Sequence, residues 1–212
     1  MDFNYLIPIL FLGAANGLIL SWIFFQRRKG HPFINKLLSL LILIQALSLT
    51  EAVLILSGVY KHIPSIVSAT FPLTFLTGPI LYFYVLFSVS YRTGFKPIDL
   101  IHLLPFLIGI WDQLPLYAMD AQIKVNFIDE ILSSNVYKAS SKMLLMMLFK
   151  MAQLGFYLVL TQSVIRKNRA KLKEFSSGDS VFNFEWLQKL TILFATYVVI
   201  NLLVFIGLEM VG

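Results

Sequence analysis

Three ionisable residues stand where charge is expensive. Glu51, Asp112 and Lys150 each lie inside an apolar run long enough to cross a bilayer. An unpaired charge near the centre of the hydrocarbon costs several kcal/mol even on lenient insertion scales, so such groups pair, face water or serve a function. The amides of Gln45 and Gln153 and the hydroxyls of Thr74 and Thr77 lie in the same runs, and Asn16 and Asn201 add further polar positions. Three uses compete for this set: an internal ion pair that only orients helices, a ligand pocket open to the exterior, or a path for a proton or ion. Glu51 and Asp112 fall toward the same ends of their runs, whereas Lys150 is nearer the middle of its own. At least one carboxylate is therefore expected beside Lys150, unless the lysine faces water. The candidate ligand-binding residues are Glu51, Asp112, Lys150, Gln45, Gln153, Thr74 and Thr77.

Other chemistry finds little support. Cysteine is absent, which removes thiolate nucleophiles, disulfides and cysteine-ligated metals. No HExxH, GxxxxGK[ST], strand-bound GxGxxG or GxSxG motif occurs. His31, His62 and His102 fall in different connections, so no metal site and no cofactor are expected. No nucleophile–base pair can be assembled, so the chain is not expected to be an enzyme.

The elements that position these residues follow from composition. Of 212 residues, 58% are apolar and 13% charged, and the mean hydropathy is +0.80. A soluble domain is about half apolar and about a quarter charged. Too little charge remains here to cover a wetted surface, so lipid is the solvent implied. Six apolar runs are read, at about 5–25, 32–59, 63–90, 100–118, 140–165 and 184–211. Backbone groups in hydrocarbon must bond within their own segment, so the runs are helices and the fold class is an all-α polytopic bundle. The first run is too long for a signal-peptide core, lacks a basic start and is followed by Gln26-Arg27-Arg28-Lys29, so it is expected to stay attached. A connecting segment, 120–138, spaces Ile123, Phe127, Ile128, Ile131 and Leu132 for a short amphipathic helix on the interface, with Lys124, Asp129 and Glu130 elsewhere.

Proline marks the third run. Pro72 and Pro79 each remove a backbone donor, and neighbouring hydroxyls can satisfy the carbonyls that lose a partner. Pro72, Gly78 and Pro79 are the hinge candidates, against the plainer reading of a kinked wall. Pro105 and Pro115 bend the fourth run in the same way. Gly13 and Gly17 form a GxxxG pattern that permits close helix approach, and packing within the bundle is its expected use.

Basic residues orient the bundle. Arg27, Arg28, Lys29 and Lys36 join runs one and two; Arg92 and Lys96 join three and four; Arg166, Lys167, Arg169, Lys171 and Lys173 join five and six. The alternate connections carry Lys61, Lys124 and Lys138, diluted by Asp120, Asp129 and Glu130. The bias toward cytoplasmic lysine and arginine places the first set inside and the N-terminus outside. The net charge of +6 is thus a membrane signature rather than a nucleic-acid footprint. Trp22, Phe24 and Phe25 near one edge, and Trp111 and Tyr117 near the other, fit aromatic belts.

Several segments in order resemble a known family. They are FLGAANGL at 11–18, NKLL at 35–38, SG at 57–58, FPLTFLTGPILY at 71–82, DLIHLLPF at 99–106, FSS at 175–177 and NFEWL at 183–187. Together they are similar to the membrane-embedded N-terminal region of bacterial AraC-type transcriptional regulators, common in the Bacteroidetes. The resemblance implies a signal-sensing module in the inner membrane, a seventh span and a cytosolic helix-turn-helix domain beyond residue 212. It also implies DNA contact through that missing domain only. The expected partners are membrane lipid, a small-molecule or lipid signal and, as often in that family, a second copy in a homodimer. A small transporter or channel and a passive membrane anchor are the alternative readings. Protease mapping or reporter fusions should find the basic segment 166–173 on the cytoplasmic side; exposure to the exterior would overturn the orientation.

Overall fold

The computed structural model describes residues 5–90, 94–133, 141–168 and 184–211, excluding the side chains of 184 and 204–211. Arg92, Lys138, Arg169, Lys171, Lys173 and the segments 134–138 and 175–183 lie outside the described residues. Among the described residues, eight helices follow in order: α1 (Leu6–Gln26), α2 (Pro32–Leu56), α3 (Phe71–Thr74), α4 (Thr77–Val89), α5 (Leu104–Tyr117), α6 (Ala121–Ser133), α7 (Ser141–Lys167) and α8 (Phe184–Val211). Tight 3-10 turns at Val59–Lys61 and Pro64–Ile66 lead into α3, and another at Pro97–Leu103 leads into α5.

Among the described residues, six stretches are long and apolar enough to cross a membrane: α1, α2, Pro72–Val89, Pro97–Tyr117, α7 and Glu185–Leu203. The chain is a multi-pass membrane protein built as a helical bundle. Its outward face is apolar, as hydrocarbon requires, with Ile19, Leu107, Val159 and Leu203 among the exposed side chains.

The third span departs from its expected length. Helix begins at Phe71 rather than near residue 63, because α2 ends at Leu56 and Gly58 turns the chain with a φ of 79°. That left-handed conformation suits glycine at the end of a helix. Pro64, with no backbone donor, then starts a separate turn.

Packing radiates from α2 and α4. Helix α2 lies against α1 on one side and α4 on another; α4 packs on α7, α7 on α8, and α3 on α5. Leu41, Leu81, Val85, Ile165 and Leu187 from four of these helices are almost completely buried in one cluster. Small residues set the closest approaches. A Cβ on Gly17 would lie 2.8 Å from the Ala46 Cβ, and one on Gly13 would lie 3.3 Å from a Leu49 methyl. The GxxxG pattern therefore joins α1 to α2 within one chain. One turn further along the same seam, Ser21 Oγ donates to the Ser39 carbonyl at 3.0 Å and Ser39 Oγ to the Ser21 carbonyl at 2.7 Å.

Two other glycines seat aromatic rings. A Cβ on Gly78 would meet the Tyr157 ring at 2.8 Å, and one on Gly109 would meet Phe75 at 2.8 Å. Helix α4 is thus held to α7, and α5 to α3, by contacts that leave no room for a side chain.

Replacing Gly17 by Val should destabilise the folded protein by about 1–3 kcal/mol, the usual cost of overpacking. Gly155→Ala, where nothing lies within 4 Å of the added methyl, should cost nothing measurable. Thermal denaturation in detergent compares the two. Equal effects would contradict the packing described.

Candidate functional site

The polar residues gather where the third span breaks. Between α3 and α4 the ladder tightens to shorter-range bonds, with Phe75 N donating to the Pro72 carbonyl and Leu76 N to the Leu73 carbonyl. The Pro79 position can donate nothing to the Phe75 carbonyl four residues earlier. Gln153 replaces that donor from α7, its Nε2 lying 2.8 Å from Phe75 O. Ahead of Pro72, Ser68 O already receives the Phe71 N–H at 3.3 Å. Tyr117 OH, at the end of α5, donates to Ser68 O at 3.0 Å. Gln45 of α2 completes the arrangement, donating to Thr77 Oγ1 at 3.0 Å. Thr74 turns back on its own backbone, donating to the Phe71 carbonyl at 2.7 Å.

The charged candidates do not gather as expected. Glu51 Oε2 accepts from both the backbone N–H and the hydroxyl of Thr70, the residue preceding α3. Asp112, its side chain only 7% exposed, lies 2.9 Å from Lys142 Nζ through Oδ1 and accepts from Gln113 Nε2 at 2.7 Å through Oδ2. The lysine approaches Oδ1 as an ion pair, off the direction of a hydrogen bond. Neither carboxylate pairs with Lys150. Its ammonium instead lies over the Phe71 ring, 5.7 Å from the centroid. Lys150 shares the inward stripe of α7 with Gln153, Leu154 and Tyr157, three, four and seven residues on, all buried. Among the described residues it makes no ion pair or hydrogen bond.

Sequence reading passes over several members of this cluster. Ser68 has a φ of +63°, the left-handed region that a residue with a side chain seldom occupies. Its Oγ donates to Gln113 Oε1 at 2.6 Å, which ties the strained turn to α5 and, through Gln113, to Asp112. Strain of this kind tends to persist at ligand clamps and switch regions. Lys142 escapes notice because it sits in the first turn of α7, where a lysine reads as an ordinary interfacial residue. Thr70 and Tyr117 carry no pattern that distinguishes them from other polar residues near a membrane edge. Nothing gathers elsewhere in the described residues: no three histidine, aspartate or glutamate side chains converge to hold a metal ion.

Helix α6 covers this end of the bundle. Its inward face is only in part the one its apolar spacing suggests. Ile128 and Lys124 are buried, while Ile123 and Phe127 are exposed. Lys124 turns inward because its Nζ donates to the Tyr117 carbonyl at 3.0 Å, one of the last-turn carbonyls of α5. A cation is favoured at a helix C-terminus, and the lysine stem supplies apolar cover. Ile128 packs with Tyr60 and Val67, and Ile131 and Leu132 lie against them.

A polar latch fixes the same helix. Asp129 Oδ1 receives Lys61 Nζ at 2.8 Å and Tyr60 OH at 2.6 Å. Those two donors hold the Asp129 carboxyl below the usual carboxylate range. Burial, reinforced by the facing carboxylate, pushes the Tyr60 phenol up to about 12. Because the Asp129 value is depressed, its contribution is complete above the ordinary carboxylate value of 3.8 and is lost as pH falls through the depressed one. Because the Tyr60 value is raised, its contribution is complete below 10 and is lost as pH rises through about 12.

The arrangement is therefore a capped polar cluster around a strained, proline-broken helix, with Lys150 turned inward and held by neither an acid nor a carbonyl among the described residues. No protein-family model, curated protein or solved structure matches the chain.

Asp129→Asn removes the anion and keeps an acceptor for Tyr60. Amide hydrogen exchange across 121–133 should accelerate on the order of twofold to fivefold, as expected for an exposed ion pair. The native protein should show the same rise when taken below the carboxylate range. Unchanged protection in both cases would contradict the latch.

Proposed function

We propose that this chain is the signal-sensing membrane module of an AraC-type helix-turn-helix transcriptional regulator. In this reading it lies in the bacterial inner membrane with its basic loops in the cytoplasm, and DNA contact belongs to a domain beyond this chain. The observation that carries the reading is Lys150. It faces the broken third span from the inward stripe of α7, with an aromatic ring rather than an acid against its ammonium. A charge in that setting costs several kcal/mol unless something compensates it. A signal bearing an anionic group would supply the missing partner.

The neighbouring polar contacts supply a route from binding to response. Thr70 is held by Glu51, and Phe71, the next residue, lies under Lys150. An anion drawn to Lys150 would act on the first turn of α3, which Ser68 and Gln113 join to α5. A ligand shifts a conformational equilibrium only by its difference in affinity for the two states. In this proposal the difference is the ion pair made when the α3 turn moves, and α4 carries the movement to the basic end of the bundle. Helix α6, fastened by the Asp129 latch, acts as the cover through which a signal from the exterior enters. The sequence resemblance to the AraC-type membrane region supplies the output, which Lys150 alone would not specify.

The test is transcriptional. The chromosomal gene would be given Lys150→Met, and its transcripts compared with the unaltered strain and a deletion strain. The proposal expects deletion to change a defined set of transcripts and Lys150→Met to change the same set. A deletion that leaves transcription untouched would contradict the regulator reading. A set that responds to deletion and ignores Lys150→Met would reject the site.

A further inference from the structure

The turn between α1 and α2 carries chemistry that the polar cluster does not use. Arg27, Arg28, Lys29 and Lys36 fall within ten residues, and all four are exposed. No acidic residue occurs between Asp2 and Glu51, and among the described residues none of the four makes an ion pair. Such a cluster could be a loose, solvated loop, but the backbone here is built. Asn35 is buried at the start of α2, and its Nδ2 donates to the Arg27 carbonyl at 3.1 Å and the Lys29 carbonyl at 3.0 Å. Both bonds turn carbonyl oxygens inward, onto the amide. Negative backbone dipoles are thereby drawn away from the side where the cations stand, and Gly30, with a φ of 81°, completes the turn.

Apolar surface continues from the cations along α1. Trp22, Ile23 and Phe25 are exposed on the last turns of that helix, with Trp22 and Phe25 stacked at 6.4 Å between ring centroids. Lys36 Nζ lies 5.8 Å from the Phe25 ring centroid, which places a cation at the border between charged turn and apolar helix. A soluble anion would use only the charged part of this surface. A phospholipid uses both, its phosphodiester against the arginines and lysines and its acyl chains along the aromatic side of α1. Clusters of this size beside a membrane span attract anionic lipid, at about 1 kcal/mol for each basic residue near the surface.

We propose that the turn at residues 27–36 is a preordered binding site for the headgroup of an anionic phospholipid. Asn35 is its positioning residue, since it fixes the turn without facing the lipid. The site is independent of the signal-sensing reading and of which side of the membrane the turn faces.

Trp22 is a built-in reporter, one of three tryptophans in the chain. The full chain would be prepared with Trp111→Phe and Trp186→Phe, leaving Trp22, and reconstituted into vesicles. Quenching by brominated phosphatidylglycerol in phosphatidylcholine would be compared with quenching in the reverse mixture. The expected result is a preference for phosphatidylglycerol of roughly fivefold or more, the effect of at least one basic residue. Arg27→Gln, Arg28→Gln and Lys29→Gln together should bring it close to unity. These are surface changes that leave the core intact. Asn35→Leu, which keeps every charge, should at least halve the preference if it folds.

Equal quenching by the two lipids would overturn the proposal. So would an undiminished preference in a folded Asn35→Leu protein, because diffuse attraction would then suffice. Loss of the preference on adding inorganic phosphate at constant ionic strength would assign the turn to a soluble anion and overturn it too.

Discussion

A carbonyl that leaves its helix inside lipid must find a donor in the protein, because the hydrocarbon offers none. The Phe75 carbonyl is the point at which this chain meets that constraint. Pro79 cannot supply the helical N–H, and Gln153 reaches across from α7 to take its place. Near the other end of the break, Tyr117 of α5 adds a second donor to Ser68 O, which already receives the Phe71 N–H. The break in the third span is therefore tied to α7 through a backbone carbonyl, and α5 adds a contact beside it. The seats at Gly78 and Gly109 then allow Tyr157 and Phe75 to close over the same break.

Charge is disposed around that frame in three different ways. Asp112 is screened by Lys142 and Gln113, and Glu51 by the two donors of Thr70. Each carboxylate thus has a partner other than Lys150. Lys150 is left with an aromatic face, an attraction of about 0.5–2 kcal/mol that falls short of the several kcal/mol a charge costs deep in a bilayer. On the far side of α6, Asp129 meets its partners in a partly exposed position, where an ion pair orients more than it stabilises. The inequality sets Lys150 apart from the carboxylates around it.

Much of this frame is legible from residues alone, and the reasons are specific. Runs such as 32–59 read as spans because their length and apolarity admit no other solution in lipid. Gly13 and Gly17 point to a close helix contact, and α2 is their partner in the structure. Pro72 and Pro79 announce that carbonyls in the third span will need donors. Which donors they receive is not legible, since Gln153 is 78 positions from Phe75 and any of several amides could have served. The pairing of charges is missed for the same reason. The cost of an unpaired charge calls for a carboxylate beside Lys150, yet Glu51 and Asp112 are met by Thr70 and Lys142 instead. The inward face of α6 is legible in Ile128, Ile131 and Leu132 but not in Lys124, which reads as a solvated charge until the Tyr117 carbonyl beside it explains its burial. Periodicity locates faces well, whereas single hydrogen bonds across the bundle depend on a register that no local pattern records.

A double-mutant cycle between Gln153 and Pro79 tests the central claim most directly. Pro79→Ala restores an N–H that can satisfy the Phe75 carbonyl from within the helix. Reversible unfolding in mixed micelles would give the cost of Gln153→Leu with and without that change. The account predicts that Gln153→Leu costs about 1 kcal/mol more beside proline than beside alanine, the size of one hydrogen bond in a membrane bundle. Costs that simply add would show that the Phe75 carbonyl does not depend on Gln153, and would contradict the account.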